Sequence, residues 1–215
     1  MIDYLARLDE MPPDRPEMAG PDHPIRKMTR EIAFEPGAWT PERKTKVAEL
    51  FDTMAPEWNK RTSAERQEPL RDALARSGTL PDGLCVEIGS GTGASTPDLA
   101  DRFETVVALD LSREMLRHAP AQPGHRVQGD ASMLPLADGS AACMVLVNAL
   151  LFPTEMNRVL RAPGTLLWVS SLGEFTPIYL AANDVEKALP GEWSGVAGEA
   201  GWGSWVALRR ARPDT

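Results

Sequence analysis

From Leu84 onward the chain alternates short apolar runs with stretches whose apolar positions recur every three or four residues. A short apolar run bounded by turn residues suits a strand covered on both faces, and the longer spacing suits a helix with one buried stripe. Strands are therefore predicted from Leu84 to Ile88, Thr105 to Asp110, Arg126 to Gln128, Ala142 to Val147 and Thr165 to Ser171. Helices fall between them, from Thr96 to Arg102, Arg113 to Ala119 and Thr154 to Arg161. Alternating strands and helices require right-handed crossovers, which give a mostly parallel sheet with helices on both faces. The tail breaks this rhythm. Trp193 to Gly198 and Ser204 to Arg210, with a turn around Gly201, read as an antiparallel hairpin.

Before residue 80 the pattern is different. Pro12, Pro13, Pro16, Pro21 and Pro24 crowd into thirteen residues, which excludes a regular helix or a central strand and predicts an extended arm. Thr40 before Pro41 is a helix start, and Val47, Leu50, Phe51 and Met54 share one face of the helix that follows. Thr62 with Glu65 forms a capping box for a second helix carrying Leu70, Ala73 and Leu74 and ending at Gly78. Pro69 predicts a kink there or a later start. The chain thus divides into an arm and helical cap over residues 1–80 and an α/β domain over residues 81–215.

Composition narrows the setting. The 215 residues carry 23 Lys plus Arg against 31 Asp plus Glu, a net charge of −8. That excess of acid argues against broad binding of nucleic acid or anionic membranes, which needs basic stripes. The longest nearly apolar run, Ala141 to Phe152, is too short to span a bilayer and contains Asn148. Met1-Ile2-Asp3-Tyr4 lacks the basic and apolar pattern of a secretory leader. Cys85 and Cys143 sit in apolar runs and read as reduced, buried thiols. A cytoplasmic protein is expected.

The chemistry gathers at Glu87-Ile88-Gly89-Ser90-Gly91-Thr92-Gly93, directly after the first strand of the domain. Glycines there let the backbone approach a ligand closely, and the next helix N-terminus presents free N–H groups. Asp110, seventeen residues past Gly93, ends the second strand, where a carboxylate accepts protons from ribose hydroxyls. Gly89-Ser90-Gly91 with Ala94 also fits a dinucleotide site. Two features tip the choice: Glu87 would repel a pyrophosphate but attract an ammonium, and Gly129-Asp130-Ala131 offers an acceptor to an adenine amino group.

With Val107-Ala108-Leu109-Asp110-Leu111-Ser112, Met115-Leu116, Leu134-Pro135, Arg158-Val159-Leu160 and Pro163-Gly164, these segments make residues 84 to 172 resemble the class I S-adenosylmethionine-dependent methyltransferases. The resemblance implies a Rossmann-like sheet of order 3-2-1-4-5-7-6 with its last strand antiparallel. It assigns the loop 89–93 to the methionine end of the cofactor, Asp110 to the ribose, and Asp130 with Ala131 to the adenine. Phe51-Asp52, Ala55 and Trp58-Asn59 resemble a segment that closes over the cofactor in small-molecule enzymes, with Trp58 where a tyrosine is usual. The implied cofactor set is Trp58, Glu87, Gly89, Ser90, Gly91, Gly93, Asp110, Leu111, Met115, Asp130, Ala131 and Asn148. Ala149-Leu150-Leu151 follows Asn148 in place of the Pro-Pro-aromatic run of enzymes that methylate nucleobase or glutamine amino groups.

The acceptor is less marked. Glu192-Trp193-Ser194-Gly195 and Gly201-Trp202-Gly203 extend the likeness to small actinobacterial methyltransferases, among them the sugar O-methyltransferases of mycobacterial methylmannose polysaccharide synthesis. The leading expectation is methylation of a sugar hydroxyl, as on a mannoside or oligosaccharide. A quinone, a phenol or another small metabolite, or cofactor binding without catalysis, stays open. A hydroxyl calls for a general base. Glu174, just past the fifth strand, and His23, in the proline-rich arm, are the candidates; a solvated loop charge and an inert surface ring are their bland alternatives. Magnesium is carried as a candidate cofactor because a related sugar class uses it, although no clear ligand set stands out. A homodimer is a candidate assembly.

Overall fold

Strand residues of alternating direction build two cores on the two faces of one sheet. The computed structural model describes residues 1–16, 20–121 and 123–210. In chain order these include β1 (Ile2–Tyr4), α1 (Pro24–Phe34), α2 (Pro41–Met54), a 3-10 helix (Ala55–Arg61), α3 (Ala64–Arg76), β2 (Leu84–Ile88), α4 (Thr96–Ala100), β3 (Thr105–Asp110), α5 (Arg113–His118) and β4 (His125–Gln128). There follow β5 (Ala141–Val147), α6 (Pro153–Val159), β6 (Leu160–Ser170), α7 (Ala182–Ala188), β7 (Trp193–Ala200) and β8 (Gly203–Arg210). The sheet order is β1-β7-β8-β6-β5-β2-β3-β4. Counted from β2, that is the expected 3-2-1-4-5-7-6, with β8 antiparallel to both β6 and β7. The fold is the α/β, Rossmann-like one that the sequence implied.

Successive residues of β5 divide between the faces, as the two-residue period of a strand demands. Met144 and Leu146 join a core with Ile88, Leu166, Trp168, Met156 and Val159. Cys143 and Val145 join another with Leu99, Phe103, Leu70 and Ala73. Cys85 and Cys143 are direct neighbours across β2 and β5, both free and buried, and serve as small apolar fillers. Among the described residues, no helix is long and apolar enough to cross a membrane.

The N-terminal region departs from the sequence reading in three places. Ile2–Tyr4 is a strand, paired in parallel with β7 at the sheet edge. Pro24 is not part of the arm: it opens α1, where its missing N–H costs nothing, and His23 caps that helix by accepting from the Ile25 N–H at 3.2 Å. The second predicted helix starts at Ala64, after Ser63, and Thr62 instead ends the 3-10 turn before it. Pro69 lies inside α3, buried close to Gly203 of β8. Two further differences lie in the domain. α7 had no prediction, and β6 begins at Leu160 rather than Thr165, extended through a register irregularity opposite β5.

Leu146 is fully buried between Ile88 of β2 and Trp168 of β6. Leu146→Ala should therefore lower unfolding stability by about 2–5 kcal/mol, seen as a reduced urea midpoint with an unchanged slope.

Candidate active site

Where β2 ends, the chain must turn sharply under the sheet edge. Gly89 and Gly91 take φ of +67° and +56°, a region that disfavours any β-carbon. A Cβ on Gly89 would also fall 2.7 Å from the Cβ of Ala149, so the loops after β2 and β5 nest against each other. The turn is stitched to β3: Ser90 N donates to Leu109 O at 3.0 Å, and Gly91 N donates to Asp110 Oδ2 at 2.7 Å. The other oxygen of Asp110 accepts from Ser112 N at 2.8 Å. Ser112 Oγ then caps α5 by accepting from Met115 N, and donates to Asp52 Oδ1 of α2 at 2.5 Å.

A cavity of about 250 Å³ opens above this loop. Its floor is Glu87 to Gly91, and its sides come from Leu109 to Leu111, Gly129 to Ala131, Asn148 to Leu150 and Thr176 to Ile178. Its roof is the helical cap. Val47, Leu50, Phe51 and Met54 line it, and α2 buries no residue elsewhere. The stripe seen in the sequence thus walls a ligand space rather than a solid core. Trp39 and Trp58 complete the roof; Trp39 meets Phe152 edge-on at 5.4 Å, and Phe51 meets Trp58 edge-on at 5.7 Å.

Glu87 is 2% exposed and accepts from Thr96 Oγ1 at 2.6 Å. Burial raises its pKa to about 7; the Thr96 bond opposes that rise and the nearby Asp110 charge adds to it. Asp110 is also pushed up by burial, opposed by the N–H groups of Ser112 and Gly91. Asp130 goes the other way. Its partial burial is outweighed by hydrogen bonds from Ser132, Lys44 and Trp39, which hold it below the usual carboxylate range. Trp39 Nε1 donates to both of its oxygens, at 3.1 and 3.2 Å, and Lys44 Nζ lies 3.0 Å away, so Asp130 also fastens the cap.

Of the implied cofactor residues, all but Gly93 line the cavity; Gly93 shapes the turn, its N–H donating to Ser90 O. Asn148 spends its side chain tying β5 to the residue after β6: Nδ2 donates to Ser171 Oγ at 2.8 Å, and Oδ1 accepts from Ser171 N at 2.9 Å. Glu174 and His23 are not brought to the site. Glu174 is an exposed residue of a 3-10 turn outside the lining, and His23 is occupied as a helix cap. The three tryptophans of the tail also spend their indole N–H groups in the fold, on Pro190, on Pro12 with Pro13, and on Asp72. Sequence reasoning missed Trp39, Arg61 and Arg66 as lining residues. No helix-face periodicity signals them: Trp39 precedes α2, Arg61 ends the 3-10 turn, and Arg66 is a charged residue in the first turn of α3.

Comparisons with known proteins agree with this geometry. Residues 86–167 match the family described as "Methyltransferase domain". A candidate 23S rRNA (guanine-N(1)-)-methyltransferase of Micromonospora griseorubida is 38% identical over 122 residues, covering 53% of this chain and 41% of that protein. A demethylmenaquinone methyltransferase of Renibacterium salmoninarum is 30% identical over 105 residues, covering 46% and 44% respectively. The chain spans less than half the length of the curated relatives it matches. The solved DhpI–S-adenosylhomocysteine complex superposes with a TM-score of 0.63 at 19% identity, over 78% of this chain and 96% of that one. Residues 86–167 therefore match a methyltransferase domain, and the chain has the fold of solved S-adenosylmethionine-dependent methyltransferases.

The residues present fit that cofactor. Glu87 is a buried carboxylate facing the cavity, suited to an ammonium; Asp110 is a second buried carboxylate in the same lining, suited in kind to hydroxyl donors; Ser90 Oγ is buried with no partner among the described residues. Magnesium fits less well, because no group of three His, Cys, Asp or Glu gathers to hold a metal among the described residues.

Asp110→Ala should weaken binding of S-adenosylhomocysteine by about 1–3 kcal/mol, measured by calorimetry. Glu87 carries a pH signature. Its folded pKa of about 7 lies above the ordinary 4.5, so the ligand-free protein loses stability from this group as pH rises through that window. An ammonium ligand needs the ionised form. Affinity for S-adenosylhomocysteine should accordingly rise between about pH 5.5 and 7.5, and Glu87→Gln should flatten that rise.

Proposed function

We propose that the protein transfers the methyl group of S-adenosylmethionine to a small-molecule acceptor held beneath the helical cap. The observation that carries this reading is the shared cavity: the glycine loop, Glu87 and Asp110 form one wall, and an apolar roof built by α2 faces them. S-adenosylmethionine supplies a methyl already activated on a sulfonium, so the protein's task is to bind, align and keep water out. Here Glu87 and Asp110 orient the donor, Phe51 and Trp58 cover it, and the Asn148–Ser171 pair holds the far wall rigid.

The relatives bear names of rRNA, quinone and biotin enzymes, and no single acceptor follows from them. The largely apolar roof and the net charge of −8 favour a small molecule over RNA. A sugar hydroxyl, the acceptor first expected, would need a base within reach, and neither Glu174 nor His23 lines the cavity.

The test is transfer of labelled methyl from S-adenosylmethionine to mannosides, phenols, quinols, carboxylic acids and rRNA, offered separately. Label on a small molecule is the expected result. Label on rRNA alone would overturn the small-molecule reading, and tight binding of S-adenosylhomocysteine with label on nothing, cell-extract metabolites included, would leave a cofactor-binding protein without catalysis.

A further inference from the structure

The tie between Asn148 and Ser171 leaves two hydrogens over. Ser171 N–H can donate only to the amide oxygen, so Asn148 Oδ1 faces it at 2.9 Å and Nδ2 faces the Ser171 hydroxyl at 2.8 Å. An amide nitrogen carries two hydrogens, and this contact uses one of them. The hydroxyl accepts from Nδ2, so its own O–H is unused. Among the described residues neither hydrogen meets an acceptor. Ser171 is 3% exposed, Asn148 is partly buried, and both line the cavity. Buried donors left unpaired are costly, and one ligand oxygen with two lone pairs would satisfy both.

The backbone puts the pair in place. Asn148 holds φ at +51°, in the left-handed region that few residues other than glycine enter, while its N–H stays on Val169 O at 2.9 Å. Glycine would take this φ freely, so what the asparagine adds at the turn is its amide. The next residue, Ala149, nests against Gly89, which sets the pair beside the glycine loop. Its neighbours in the chain that line the cavity, Ala149, Leu150 and Leu172, are apolar. Neutral donors in apolar surroundings suit a neutral oxygen, whereas a carboxylate or phosphate calls for a cation at the same spot.

We infer that Asn148 Nδ2 and Ser171 Oγ seat a carbonyl oxygen of the methyl acceptor, which makes the acceptor a neutral carbonyl compound with an apolar body. This rests on the methyl-transfer reading above. The pair anchors and orients the acceptor beside the glycine loop; it moves no proton and provides no nucleophile.

The experiment is calorimetry of acetophenone and 2-hexanone, beside α-methylstyrene and 2-methyl-1-hexene, against protein saturated with S-adenosylhomocysteine. Each alkene replaces the carbonyl oxygen by a CH2 group and keeps the shape. Asn148→Asp keeps the oxygen that Ser171 N needs, and its second oxygen takes up the Ser171 O–H, so one isosteric change removes both free donors. Ketone affinity should fall at least about tenfold in that variant and about fourfold in Ser171→Ala, with alkene affinity held within about twofold. In the unaltered protein the infrared carbonyl band of bound, isotope-labelled acetophenone should lie below its position in hexane. A band at the hexane position, or ketones that do not bind, would overturn the inference without any variant. So would an equal loss of ketone and alkene in both variants, since the pair would then only shape the wall. Failure of the unaltered protein to bind S-adenosylhomocysteine would instead strike the methyl-transfer reading itself.

Discussion

The carboxylate of Asp110 is the joint on which the site depends. One oxygen holds Gly91 N and the other holds Ser112 N, so a single side chain fixes the glycine loop after β2 and the entry to α5. Ser112 passes the constraint on, capping α5 and meeting Asp52 of the cap. Charge-assisted hydrogen bonds to backbone N–H groups are among the stronger ones, and burial makes breaking them costlier. The same burial raises the Asp110 pKa, a strain that the two N–H groups offset in part.

The cap is held quite differently. α2 buries nothing, and its apolar face looks into the cavity. What fastens it is a few polar clasps: Asp52 to Ser112, Asn59 to Thr92 at 2.5 Å, and Trp39 with Lys44 to Asp130. Few buried apolar contacts and several hydrogen bonds near solvent are the marks of a segment with low local stability. A roof of that kind is joined to the sheet by contacts that can be lost without disturbing the core.

Much of the fold was legible because β2, β3 and β5 are short apolar runs set between helical stretches, and the β7–β8 hairpin is two such runs about a glycine turn. The glycine loop was legible for a related reason: Gly89, Gly91 and Asp110 are positions where backbone geometry and hydrogen bonding restrict the choice of residue. The rest depends on contacts between distant segments. Three residues of β1 carry no period to detect, and α1 was hidden because Pro24 looked like one more breaker when it is a helix start. Arg61 carries no signal in the pattern of the chain, and only the turn at Ala55–Arg61 brings it over Trp58. Glu174 stood at the expected edge of the sheet, but its 3-10 turn leaves it exposed and outside the cavity lining.

The pairing of β1 with β7 has a consequence for how the chain is made. Ile2 lies beside Gly195, so this strand leaves the ribosome early and finds its partner only after almost all of the described fold has been synthesised. Closing so long a loop for three residues of pairing is entropically poor until the hairpin is already in place. Ile2–Tyr4 therefore docks late, as a closing stitch, and residues 7–13 are drawn over the hairpin by the same event: Arg7 reaches the Gly201 carbonyl, and Trp202 reaches Pro12 and Pro13. Until then the outer edge of β7 remains open to other strands, the condition under which edge-to-edge association occurs.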